Sequence, residues 1–157
     1  RVRARVSGYG ASADAHHATA PDPSGAGVAA AIGHALADAG LAPGDIDHVN
    51  AHGTATRLND AVEAQVLARL FTDGPPVTSV KGVTGHSLGA AGAIEAACTA
   101  LSISQAVLPP TANLDTIDPA LDIDVVRGRA RTTPVRAAIS NSFGFGGQNA
   151  VLVLTAN

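Results

Sequence analysis

The spacing of apolar and polar positions along the chain predicts three helices. Apolar side chains recur at helical intervals over residues 25–39, 59–71 and 89–105. Asn59 or Asp60 stands where the N-cap of the second helix is expected. In the third helix Ile94, Cys98 and Leu101 fall on one face, which predicts that this face packs on a core.

Short apolar runs between these segments predict strands. Val2, Ala4 and Val6 alternate with arginines, a pattern typical of a strand with one buried face. Further strands are predicted at residues 45–50, 76–80, 122–126, 135–142 and 149–155. The last two flank the sequence FGFGG and should form a terminal hairpin. The order β, α, β, α, β, α followed by strands predicts a layered α/β domain.

Composition and charge narrow the class of protein. The length of 157 residues suits one domain. Hydrophobic residues make up 46% of the chain and charged residues 15%, a composition that supports a hydrophobic core and excludes a disordered chain. No basic run is interleaved with aromatic residues, so nucleic acid is not an expected partner. We expect no membrane span, no signal peptide and no internal disulfide, and therefore a cytoplasmic setting. The chain begins in a strand-like run without Met, so we expect it to be part of a longer polypeptide.

Two histidines and a lysine carry the candidate chemistry. His52 lies in NAHGTAT at 50–56, and His86 and Lys81 lie in VKGVTGHSLGAAG at 80–92. Together they predict a cationic, donor-rich pocket that binds a thioester carbonyl and stabilises an enolate. Alternatively, His52 is a polar turn residue, and Lys81, the only lysine, is a solvated surface residue. The segments lack the partners of a typical zinc site, so no metal is expected.

A glycine-rich loop forms the second candidate feature. Gly144, Gly146 and Gly147 surround Phe145, which allows an unusual backbone path and exposes amide N–H groups. The alternative is a tight hairpin turn with a core phenylalanine.

Two nucleophile candidates are set aside. Ser87 lies in GHSLG, which matches the hydrolase pattern G-x-S-x-G, but all six histidines precede it and the hydrolase order requires one after it. Cys98 lies in the middle of a predicted helix, where we expect a buried structural thiol.

These motifs together resemble the elongating β-ketoacyl-(acyl-carrier-protein) synthases, condensing enzymes of the thiolase superfamily. The similarity runs from about Gly8 to Leu154 and includes HGTxT with a downstream Asp, KxxxGHxxGAxG, NSFGFGGxN and PPTxNL. The resemblance implies that residues 1–157 form the ketosynthase C-terminal domain. The resemblance further implies a thiolase-like layered α/β fold, with a mixed β-sheet flanked by helices, that forms one half of the full αβαβα architecture.

The resemblance also implies roles for individual residues. His52 and His86 would bind the malonyl thioester carbonyl and promote decarboxylation. Lys81 would be the active-site lysine and Glu95 its acidic partner. Thr54 and Thr56 would hold the phosphopantetheine arm.

The same resemblance assigns the glycine-rich loop. Phe145 would be the gating residue, and its N–H would form half of the oxyanion hole, supported by Gly144, Gly146 and Gly147. Asp14 and His17 resemble loop positions associated with acyl-chain access. Gly82 stands where many relatives carry Ser, a difference we expect to matter little.

The implied reaction is a decarboxylative Claisen condensation in fatty acid or polyketide synthesis. It needs no cofactor, because the substrates are carried on the 4'-phosphopantetheine of an acyl carrier protein. The implied partners are that carrier protein, the N-terminal ketosynthase half and, for the complete enzyme, a second copy in a homodimer. The arginines at 127–136 face either an acidic carrier protein or solvent.

The family's nucleophilic cysteine lies in the N-terminal half, so the isolated chain should be an incomplete and inactive acyltransferase. A non-catalytic partner of the chain-length-factor type is the alternative, although such partners usually have degraded histidine motifs. A free-standing structural domain would make the motifs coincidental.

Overall fold

The predicted helices are present, with boundaries shifted by a few residues. The computed structural model describes residues 1–157 and has seven strands and four helices. The helices are α1 Ala26–Ala39, α2 Arg57–Leu70, α3 Lys81–Thr84 and α4 Ala91–Gln105. The strands are β1 Arg5–Ala13, β2 His48–Asn50, β3 Val77–Thr78, β4 Val107–Leu108, β5 Arg131–Thr132, β6 Ala137–Gly144 and β7 Gln148–Thr155. The strand predicted at 122–126 is reduced to a single bridge between Val125 and Val77.

Five strands form a mixed sheet in the order β1-β7-β6-β2-β3. β2 pairs in parallel with both β3 and β6, whereas β7 pairs antiparallel with β6 and with β1. The terminal β6–β7 hairpin is therefore as predicted. Because β2, β3 and β6 are parallel, their carboxyl ends meet at one edge of the sheet, where α/β folds place their sites.

Helices cover both faces of this sheet. On one face α1 and α2 enclose the larger core, which includes Ile32, Val66 and Ile139. On the other face α4 packs over β6 and β7, and Ile103 joins a smaller cluster with Leu154. This layering confirms the predicted α/β class. None of the helices is both long enough and apolar enough to cross a membrane.

The first strand differs from its prediction. Val2 and Val6 are exposed, at 58% and 66% of their surface, so the predicted buried face is wrong for these two valines. Ala4 is half-buried and packs against the smaller cluster. The face turned to α1 instead carries Gly8 and Gly10. A Cβ on Gly10 would lie 2.0 Å from the Ala31 carbonyl oxygen, so glycine permits the close approach of helix and strand.

Side chains of α1 cap the outer edge of β1. Asp38 accepts the Tyr9 N–H at 2.9 Å, and the His34 ring nitrogen Nδ1 contacts the Ala11 carbonyl oxygen at 3.2 Å. These two contacts occupy backbone groups that an edge strand would otherwise leave free to pair.

The inner face of α4 is polar. Glu95, Thr99 and Ser102 are buried against the sheet, whereas Leu101 is 40% exposed and Cys98 is half-buried. The prediction that the Ile94, Cys98 and Leu101 face packs on a core of this chain is therefore wrong. The helix is rotated because its buried side serves a polar site.

The start of α2 also differs. The N-cap is Thr56, with extended φ and ψ of −105° and 137°, rather than Asn59 or Asp60. Asn59 instead lies in the first turn and donates a side-chain hydrogen bond to Glu63 at 3.2 Å.

Candidate active site

The site is built at the carboxyl ends of the parallel strands. His52 follows β2, Lys81 begins α3 shortly after β3, and the Phe145 loop follows β6. Residues from three separate motifs are therefore brought together by the parallel pairing of the strands. The structure brings His52, His86, Lys81 and Glu95 into one cluster.

Lys81 and Glu95 form a buried ion pair beneath the histidines. Lys81 is 9% exposed and Glu95 is 1% exposed, so the solvated-lysine alternative is wrong. The Lys81 ammonium donates to Glu95 Oε1 and to the His52 carbonyl oxygen, and Nζ lies 3.4 Å from His52 Nδ1. Burial raises the pKa of Glu95, and the contact with Lys81 opposes that shift.

His52 is buried and neutral. Its ring contacts the His86 ring edge-on, with centroids 5.5 Å apart and an interplanar angle of 82°. Burial first, and then the electrostatic effect of the nearby Lys81 and His86 side chains, lower the pKa of His52 from 6.5 to about 3. The imidazole is therefore uncharged near pH 7, and the polar-turn alternative does not describe its environment.

Hydrogen bonds select one tautomer for both imidazoles. The Lys81 ammonium faces His52 Nδ1, so that nitrogen is the acceptor. His86 Nδ1 accepts the Leu88 N–H at 3.2 Å. In a neutral ring with Nδ1 as acceptor the proton resides on Nε2. The two histidines therefore supply two Nε2–H donors. The side chain of His86 is exposed to solvent.

Thr54 and Thr56 lie next to this cluster. Their hydroxyl oxygens are 2.8 Å apart, and Ala55 between them has φ of 59°. The hydroxyls are exposed, which leaves them accessible to a ligand that enters above His52.

The Phe145 loop is open to solvent. Phe145 is 79% exposed, so the core-phenylalanine alternative is wrong. Gly146 and Gly147 have φ of 80° and 74°, as a short hairpin loop requires. The Gly146 N–H donates to the Ala18 carbonyl at 2.7 Å.

The loop between β1 and α1 holds the Phe145 loop. The Asp14 N–H donates to the Gly147 carbonyl at 2.8 Å, and the Asp14 carboxylate accepts from Asn149 at 2.6 Å. His17, in contrast, accepts hydrogen bonds only from Thr19 and Ala20 in its own turn. The structure thus ties Asp14, but not His17, to the loop.

Comparison with known proteins identifies the family. The family model described as beta-ketoacyl synthase, C-terminal domain, matches residues 3–115. This chain belongs to that family.

Relatives and solved structures agree with this assignment. Over 96% of its own length, this chain is 45% identical to 3-oxoacyl-[acyl-carrier-protein] synthase 2 of Mycobacterium leprae. Over 98% of its own length, it is 43% identical to the Coxiella burnetii protein of the same description. It spans only 36% and 38% of the length of those two proteins. The whole of this chain superposes on the solved structure described as the ishigamide ketosynthase/chain length factor, with a TM-score of 0.95 and 42% sequence identity. The superposition covers 39% of the matched chain. The fold is therefore that of the C-terminal part of thiolase-like ketosynthases.

Two residues that contact His52 in this ketosynthase domain were not predicted from the sequence. Glu63 is 3% exposed, and its carboxylate accepts the N–H groups of His52 and Gly53, at 2.8 and 2.9 Å, and the amide of Asn141 at 3.0 Å. Burial raises the pKa of Glu63 against these hydrogen bonds. The Phe143 ring packs against the His52 ring, with the two ring centroids 5.4 Å apart. A glutamate between buried apolar positions of α2 was the available signal for Glu63.

Neither nucleophile candidate within this ketosynthase domain is suited to the role. Cys98 is half-buried rather than buried, a correction to the prediction, and it lies in the middle of α4. Burial and the neighbouring Glu95 raise the pKa of the Cys98 thiol, which disfavours the thiolate. The Ser87 hydroxyl makes no hydrogen bond to a histidine, as expected from its place in the sequence.

Proposed function

We propose that residues 1–157 are the C-terminal, malonyl-handling domain of a β-ketoacyl-(acyl-carrier-protein) synthase. The complete enzyme would condense a malonyl unit with an acyl-enzyme thioester in fatty acid or polyketide synthesis. The observation that carries the proposal is the contact of His52 and His86 above the buried Lys81–Glu95 pair.

The chemistry assigned to the histidines follows from their protonation. Because Nδ1 accepts a hydrogen bond in both rings, each ring can donate from its Nε2–H to one thioester carbonyl oxygen. When the malonyl carboxylate leaves as carbon dioxide, its bonding electrons pass into the thioester and develop negative charge on that oxygen. The two donors then stabilise the enolate more strongly than the neutral thioester, which is the condition for rate acceleration.

Lys81 supports this arrangement from below. It holds the His52 carbonyl oxygen and faces Nδ1, which keeps the proton on Nε2. Its charge also disfavours protonation of His52. Glu95 compensates the buried ammonium.

The acyl-enzyme step needs a nucleophile from outside this chain. Cys98 has a raised pKa, and the chain spans little more than a third of its relatives. Leu101 of α4 and Val6 and Tyr9 of β1 are exposed apolar side chains that contact with the N-terminal half would cover. We assign the nucleophilic cysteine to that half.

The carrier-bound substrate would approach from the exposed side of the site. Thr54 and Thr56 would hold the phosphopantetheine arm, and Phe145 would gate the entrance, with its N–H in the oxyanion hole and Gly144, Gly146 and Gly147 giving the loop its freedom. One matched structure is described as a type II PKS acyl-carrier protein in complex with its ketosynthase bound to the hexaketide. This description supports an acyl carrier protein as the partner. We further propose that the complete enzyme is a cytoplasmic homodimer.

A chain-length-factor role is the second candidate. Two matched structures, one of them from Xenorhabdus doucetiae, contain a ketosynthase together with a chain length factor. This role would leave His52 and His86 without a chemical task, whereas the structure keeps both in contact above the ion pair.

Malonyl decarboxylation tests the proposal. In the complete polypeptide, conversion of malonyl-carrier protein to acetyl-carrier protein is followed by mass spectrometry. His52→Ala and His86→Ala should each reduce the rate by about 10²–10³-fold, because each removes one donor to the developing oxyanion. His34→Ala is the matched control, since His34 is exposed and contacts only Ala11.

The two candidate functions give opposite results. Loss of decarboxylation in both site variants, with normal activity of His34→Ala, supports the ketosynthase. Undiminished decarboxylation in both site variants rejects the roles proposed here. A wild-type protein without decarboxylation would favour the chain-length-factor role.

A further inference from the structure

Ser79 lies between the two turns that carry the proposed site. It follows β3 and precedes the first residue of α3 by two positions. Its hydroxyl donates to the Gly53 carbonyl oxygen at 2.9 Å and accepts the Lys81 N–H at 3.4 Å. One hydroxyl group therefore connects the His52 turn to the helix that begins with Lys81.

Ser79 and the His52 turn are also in direct contact. Gly53 has φ of 43°, and a Cβ added there would lie 2.7 Å from Ser79 Cβ. No side chain fits between them, so the position of Ser79 fixes the position of the turn.

The segment Thr111 to Asn113 holds Ser79 and α3 from the other side. The Ser79 N–H donates to Thr111 Oγ1 at 3.1 Å, and the Asn113 side-chain amide donates to the Gly82 carbonyl at 2.8 Å. A Cβ on Gly82 would lie 2.3 Å from the Ala112 carbonyl oxygen. A side chain at position 82 would therefore displace this segment, and the expectation that glycine in place of serine matters little stays a prediction.

We propose that Ser79, held by Thr111, is a positioning residue that sets the separation between Lys81 and His52. The inference rests on the proposed function, and Ser79 acts through Lys81 without touching the substrate. The contact between Lys81 Nζ and His52 Nδ1 is already long, at 3.4 Å. A small shift of α3 would end it, since hydrogen bonds weaken steeply beyond this range.

The kinetic test uses the complete polypeptide. Ser79→Ala should lower kcat for malonyl-carrier decarboxylation about 10–100-fold and leave KM within about twofold, because positioning is lost while binding is kept. In a Lys81→Ala background the same substitution should cost less than about twofold, because its route of action is already gone.

A matched pair at position 111 separates the hydroxyl from the shape of the side chain. Thr111→Val removes the acceptor with little change in volume and should lower kcat, whereas Thr111→Ser retains the hydroxyl and should stay near wild type. This pair also decides the question if Ser79→Ala fails to fold.

A spectroscopic readout keeps the inference independent of activity. Imidazole ¹⁵N spectra should show His52 as the Nε2–H tautomer in the wild type and a mixture of tautomers in Ser79→Ala and Thr111→Val. Unchanged tautomers, or additive effects of Ser79→Ala and Lys81→Ala, overturn the positioning role. If His52→Ala and His86→Ala are impaired while Ser79→Ala is not, only this inference fails. If the histidine variants are also unimpaired, the proposed function fails.

Discussion

His48 should make the stability of this chain depend on pH. It is 1% exposed, its Nε2 contacts Thr78 Oγ1 at 2.9 Å, and its Nδ1 has no hydrogen-bond partner. Burial lowers the pKa of His48 from 6.5 to about 4. The folded state therefore takes up the proton less readily than the unfolded state, so stability falls as the pH drops below 6.5 towards 4.

The size of the effect follows from the two pKa values. The linkage relation gives a destabilisation of about 0.2 kcal/mol at pH 7 and about 2 kcal/mol at pH 5. His48→Gln removes this titration and keeps a polar side chain of similar size. From pH 7 to pH 5 the wild type should therefore lose roughly 2 kcal/mol more unfolding free energy than the variant does.

Urea unfolding followed by far-UV circular dichroism measures the difference at both pH values. His52 titrates in both proteins and cancels in the comparison. His34→Gln is the control for the replacement of a histidine by glutamine, because His34 is exposed. Equal pH dependence of His48→Gln and wild type would show that burial of His48 does not cause the loss of stability.

Three further experiments test the packing of the chain. Lys81→Met should lower the unfolding free energy, measured by urea unfolding, by about 3–5 kcal/mol, because it leaves the Glu95 carboxylate buried without a compensating charge. Adding Glu95→Gln should recover most of the lost free energy. Ala106→Gly should raise the unfolding free energy by about 1 kcal/mol, because Ala106 caps α4 with φ of 54°; a loss of stability would contradict this. Gly10→Ala should lower the melting temperature through its collision with the Ala31 carbonyl oxygen, and an unchanged value would show that α1 adjusts freely.

The parts of the fold that follow a strong period were predictable. The buried positions of α1, which include Val28, Ile32 and Leu36, repeat every three to four residues, so the sequence alone locates this helix. The terminal hairpin was predictable because turn glycines separate two apolar runs. The two-residue strands β4 and β5 carry no such signal, because their pairing depends on distant partners.

The errors concern places where tertiary contacts override the local pattern. The face of α4 was assigned from apolar residues, but the helix buries Glu95 and Thr99 because Lys81 and Asn50 are their partners. The face of β1 was assigned from valines, but glycines face α1 because the helix backbone approaches the strand.

The candidate site was predictable only in part. Its motifs name His52, His86 and Lys81, since glycines mark the turns that carry them. The supporting contacts of Glu63 and Ser79 involve backbone groups of other segments, and a pattern within one segment does not contain them. Burial of Lys81 likewise depends on Glu95 in the next helix.

Decarboxylation by the complete polypeptide after thiol alkylation separates the two halves of the proposed site. The residues of this chain would drive loss of carbon dioxide from the malonyl thioester, while the nucleophilic thiol would lie outside this chain. In a Cys98→Ser background, iodoacetamide can react only with thiols outside this chain. Release of carbon dioxide from malonyl-carrier protein should persist after alkylation and be lost in His86→Ala. Release that stops on alkylation, or that survives in His86→Ala, would contradict this division of the site.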